Sequence, residues 1–135
     1  MKRKIVFIVL LSIVLIVCFA YLQYGRSSFV NHITSQKESN GYTVSLNVTV
    51  NKLWIGDKEK VSQQLIQSIV NNEFENVDFS YDISGYPNEV TMKVYTNSFT
   101  YALNKPAIQV RYAPQSEGDY NIKEHPEKFV LTYKK

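Results

Sequence analysis

The side chains that most often carry catalysis are few here and badly spaced for it. The two histidines are His32, in a polar stretch, and His125, directly before Pro126. Neither has metal-ligand spacing to a carboxylate pair, so both read as solvated or capping residues. Asp78 and Asp82 could form an acid–base pair. They sit four apart in a segment that alternates like a strand, which sets them about 13 Å apart at roughly 3.3 Å per residue. Glycosidase carboxylates need roughly 5 to 9.5 Å. A solvated sheet face, with Lys93 as a cross-strand partner, fits them better. No serine stands in a G-x-S-x-G turn. Gly41, Gly56, Gly85 and Gly118 are isolated and mark turns rather than a phosphate loop. Cys18 is the sole cysteine, so a disulfide or a Cys-based metal site has no second ligand. Asn47-Val48-Thr49 matches a glycosylation sequon but falls inside a predicted strand. These residues lead to the expectation of no catalytic constellation, no metal site and no cofactor.

What remains is recognition chemistry. Alternation puts Thr43, Ser45, Asn47, Thr49, Asn51, Lys93, Tyr95, Gln109 and Arg111 on the polar sides of their strands. Among them Lys93, Tyr95 and Arg111 are the candidate binding face. A tyrosine offers a rigid amphipathic contact, and an arginine a planar five-donor fork for carboxylates or carbonyls.

The elements that must position these residues follow from periodicity. Tyr42, Val44, Leu46, Val48 and Val50 alternate with Thr43, Ser45, Asn47, Thr49 and Asn51, a half-buried strand that could continue to Ile55. Gly56 ends it, and Asp57 offers an N-cap. Val61, Leu65, Ile66, Ile69 and Phe74 then form one stripe of an amphipathic helix. Three further alternations follow: Val77/Phe79/Tyr81/Ile83; Val90/Met92/Val94, running on towards Tyr101; and Ile108/Val110/Tyr112. Residues 113–127 read as a polar loop, and Phe129/Leu131/Tyr133 as a last strand. Four residues, Gly85 to Asn88, would join the second and third strands as a hairpin, pairing Ile83 with Val90, Tyr81 with Met92 and Phe79 with Val94. One helix cannot cover both sides of such a sheet. The expectation is an α+β domain, one helix on a mostly antiparallel, about five-stranded sheet in the order β-α-β-β-β-β.

Ahead of this domain, Ile5 to Leu22 pass with Ser12 as the one polar side chain and no charge. Extended through Tyr24, the run reaches the ~20 residues that cross a bilayer. Lys2, Arg3 and Lys4 precede it and only Arg26 follows closely, which keeps the N-terminus in the cytoplasm and places the domain outside. A cleaved signal peptide, releasing the domain, is the alternative; Cys18 and Ala20 make a tolerable cleavage pattern. Lipidation of Cys18 fits less well, because Val17 stands where a lipobox has a small residue. The organisation expected is thus 1–24 membrane anchor, 25–41 polar tether and 42–135 extracytoplasmic domain.

The net charge of +3 is carried by Lys2, Arg3 and Lys4; the rest has 12 basic and 12 acidic residues, which argues against nucleic acid as a partner. Abundant Lys, Ile, Asn and Tyr with scarce Ala and Gly match AT-rich bacterial codon usage. The functional expectation is a membrane-tethered binding domain, not an enzyme, with the membrane (residues 5–24) and a protein or envelope component as partners. The rivals are a small envelope enzyme with a site assembled from scattered residues, and an accessory subunit of a membrane complex.

Overall fold

A computed structural model describes residues 2–39 and 41–134. Helix α1 (Lys2–Tyr24) is apolar on every side and none of its membrane-length stretch is buried in protein. It is long and apolar enough to cross a membrane. The remaining chain forms one sheet of five mostly antiparallel strands with helices, the α+β class that the alternations imply.

The strands are β1 (Phe29–Glu38), β2 (Gly41–Thr49), β3 (Glu89–Tyr95), β4 (Ile108–Pro114) and β5 (Phe129–Tyr133), side by side in that order. All neighbours are antiparallel except β2 and β3, which run parallel. A parallel pair needs a long crossover. Helix α2 (Lys58–Asn71) supplies it, capped by the Asp57 carboxylate, which accepts from Lys60 N at 2.9 Å, and ended by Asn72 in the left-handed region. Its stripe of Leu65, Ile66 and Ile69 packs into one core with Val44, Leu46, Val48, Val90, Met92, Val94, Ile108 and Val110.

Several sequence expectations are corrected. The stretch 25–41 is not a tether: Phe29–Glu38 is a sheet-edge strand hairpinned to β2. Its pattern was hidden because a bulge shifts the register between Val30 and His32, and beyond Asn31 the strand is exposed on both sides. Conversely, 77–83 is not a strand. Asn72 takes the backbone groups of Phe79 that a ladder would use, its Oδ1 accepting from Phe79 N at 2.8 Å and its Nδ2 donating to Phe79 O at 3.3 Å. The chain then turns through the short helix α3 (Tyr81–Ser84), and Ile83 faces solvent. The hairpin around Gly85 therefore does not form. Val90 lies between Val44 and Tyr112 instead of opposite Ile83. The strand count survives with one member exchanged, and the order is β-β-α-β-β-β apart from the short helices.

Candidate functional site

Strand alternation sends the apolar side chains of β2, β3 and β4 under α2 and their polar ones to the opposite face. That second face carries a shallow trough of about 540 Å³. Ser45 and Asn47 line it from β2, Thr91 and Lys93 from β3, Gln109 and Arg111 from β4, and Thr132 and Lys134 from β5 and its end. The ladder fixes the spacing: Lys93 has Asn47 and Gln109 as its neighbours, and Arg111 has Thr91 and Thr132.

Two contacts organise the floor. Ser45 Oγ and Thr91 Oγ1 share a hydrogen bond of 2.8 Å. Arg111 donates from Nε to Glu89 Oε1 at 2.5 Å and from its terminal nitrogen to Glu89 Oε2 at 2.6 Å, a bidentate pair. Glu89 thus neutralises the guanidinium and fixes its plane. Lys93 is exposed and among the described residues has no carboxylate within ion-pair distance.

Of the three candidate residues, Lys93 and Arg111 reach the trough and Tyr95 does not. Tyr95 shares the side of Lys93 but is only 1% exposed. Helix α4 (Ser98–Ala102) follows at once, locked by a capping box between Asn97 and Thr100. Tyr101 packs edge-on against the Tyr95 ring at 5.1 Å, and the Tyr95 hydroxyl donates to Asn104 Oδ1 at 3.1 Å. Burial pushes the Tyr95 phenol pKa up, and Tyr101 adds to the shift. The expectation that β3 runs on towards Tyr101 fails for the same reason. Thr91, Thr132 and Lys134 are the polar trough residues that sequence reasoning missed; Lys134 lies one position beyond the alternation of Phe129, Leu131 and Tyr133.

The other residues weighed for chemistry are dispersed. Asp78 sits in the loop after α2, accepting a hydrogen bond from Asn72 Nδ2; Asp82 is on α3. His32 is on β1, beside Thr34 Oγ1 at 3.0 Å. His125 packs edge-on against Tyr120, its Nδ1 buried without a partner among the described residues. No cluster of three His, Cys, Asp or Glu suited to a metal ion occurs among the described residues. Asn47, of the sequon, is half-buried in the sheet. Comparison with family models, curated proteins and solved structures gives no match.

Proposed function

We propose that the chain is a membrane-anchored binding module, held outside the cytoplasm, that takes an anionic partner on the open face of its sheet. The observation that carries this reading is the trough itself. Strand alternation brings Lys93 and Lys134 into it as cations, beside an Arg111 guanidinium whose charge Glu89 balances. They lie among hydroxyl and amide groups, so the surface suits carboxylates or phosphates on a protein or an envelope component. Lys93 and Lys134 among hydroxyl and amide groups hold an anion better than they transfer protons, which favours binding over hydrolysis.

Location rests on α1. Its length and apolarity suit a membrane span, and Lys2, Arg3 and Lys4 against Arg26 orient it with the N-terminus inside. The side chain of Gln23 at the helix end is bonded into the loop after β2, which favours an anchor retained with the domain over a signal peptide removed from it.

The experiment uses the full chain in lipid nanodiscs with a poly-glutamate peptide as probe. Binding should weaken on adding salt and fall about tenfold, or ~1.4 kcal/mol, in the Lys93→Glu/Lys134→Glu variant. Absence of binding by the unaltered chain, or equal binding by a folded double variant, would reject the open face as the site. In cells expressing the full chain, a reporter enzyme active only outside the cytoplasm and fused after Lys135 should be active; activity from a cytoplasmic reporter alone would reject the orientation.

A further inference from the structure

The end of the sheet nearest α1 is built differently from the rest of the surface. Strand β1 starts at that end, a few residues after α1 finishes, and β2 and β3 both stop there, at Thr49 and Tyr95. Gln23 staples the loop after β2 to the helix. Its Oε1 accepts from Leu53 N at 2.9 Å and Trp54 N at 3.3 Å, and its Nε2 donates to Trp54 O at 3.0 Å. Lys52 Nζ donates to Gln23 O at 3.2 Å and stands 5.6 Å over the Tyr24 ring. The same loop is tied to the end of β3, Val50 N to Tyr95 O and Lys52 N to Thr96 O, both at 2.9 Å, so α4 stands beside it.

These two connections carry four large apolar side chains that the fold leaves uncovered: Leu53 at 38% exposed, Trp54 at 54%, Phe99 at 71% and Leu103 at 48%. Helix geometry says what meets them. The apolar run Ile5–Leu22, at 1.5 Å per residue, is about 27 Å long, close to the roughly 30 Å hydrocarbon thickness. Gln23 is therefore at the boundary, and Leu53 and Trp54 are within hydrogen-bond reach of it. Trp favours that layer, where the indole body is dry and its N–H wet, and Lys52 can hold its ammonium among headgroup phosphates.

We infer that this rim, led by Leu53 and Trp54 and extended by Phe99 and Leu103, is seated in the interfacial layer of the membrane that α1 crosses, so that the domain is docked on lipid and does not swing on its anchor. The inference rests on the reading of α1 as a membrane span.

The chain contains its own probes, because Trp54 is its one tryptophan and Cys18 its one cysteine. The full chain is placed in phosphatidylcholine/phosphatidylglycerol vesicles made with or without acyl chains brominated near the headgroup. Trp54 emission should drop by at least half with brominated lipid and resist quenching by aqueous acrylamide. Cys18 should be protected from a membrane-impermeant maleimide. Protected Cys18 with Trp54 emission indifferent to bromine would overturn the docked rim and leave the anchor standing. Reactive Cys18 would overturn the anchor, and the inference with it.

Discussion

The two faces of this sheet have opposite chemistry on the same strands. Under α2, Val44, Leu46, Val48, Val90, Met92 and Val94 are almost wholly removed from water. On the reverse, one residue along in each case, Ser45, Thr91 and Lys93 meet solvent, in part or fully. A period of two is all that separates them, so a one-residue slip would exchange the core and the open face. The parallel pairing of β2 with β3 prevents the slip, since Val44, Leu46 and Val48 align with Val90, Met92 and Val94 in register. Stability should therefore be concentrated on one face and binding on the other.

The largest expected effect is on the covered face. Ile69 of α2 is 0% exposed in the middle of the core cluster. Ile69→Ala removes buried methyl groups and leaves a cavity, a loss of about 3 kcal/mol. Denaturant unfolding of the full chain in detergent should show the midpoint drop with little change in slope. A loss below about 1 kcal/mol would mean that the helix is loosely laid on the sheet, and the contrast between faces would fail.

Tyr95 and its neighbour Thr49 share the open side by parity yet are buried, and Tyr95 should behave like a residue of the covered face. Tyr95→Phe keeps the ring against Tyr101 and deletes the bond to Asn104, a loss of about 1 kcal/mol. The pH dependence has a definite sign. A phenol pKa raised by burial above its ordinary 10.0 gives stability that is fully present below that value and lost as pH rises through the raised one. The phenylalanine variant should lack that part of the alkaline decline, read by circular dichroism alongside tyrosinate absorbance. An unchanged neutral stability and an unchanged alkaline limb together would return Tyr95 to the solvent-exposed face.

The faces of β2, β3, β4 and β5 and the stripe of α2 were legible because each buries one side, and half-burial writes itself as period. The segments that escaped lack that cause. Strand β1 is an edge strand exposed on both sides beyond its bulge, so burial imposes no alternation on Thr34 to Glu38. Residues 77–83 alternate by accident of packing: Phe79, Tyr81 and Tyr86 stack beside α2, and Tyr81 donates to Ile69 O at 2.6 Å, without a ladder. Parity alone puts Lys93 and Arg111 on the open face, where the structure has them. Tyr95 had the right parity and the wrong exposure, because its cover comes from α4. The one local trace of α4 is the Asn97–Thr100 spacing, too short a signal to separate a capped turn from a continuing strand.

The smallest effect comes from the contact that looks strongest on the open face. Arg111 and Glu89 meet with two short, parallel hydrogen bonds, but the Arg111 side chain is 60% exposed and Glu89 21%. Water and salt screen such a pair, and holding two long side chains in one geometry opposes its Coulomb energy. A double-mutant cycle of Arg111→Ala and Glu89→Ala should give a coupling of about 0.5 to 1 kcal/mol at low salt, at the upper end for an exposed pair because the geometry is bidentate, and less at high salt. The same variants separate positioning from attraction. If Glu89 serves to aim the guanidinium across the trough, Glu89→Ala should leave folding almost untouched yet alter poly-glutamate capture, whereas Glu89→Gln, which keeps one acceptor for Arg111, should alter it less. A coupling above about 2 kcal/mol would belong to a desolvated pair. It would show that something in the folded chain covers this corner of the sheet, and the division into a stabilising face and a binding face would no longer hold at Arg111.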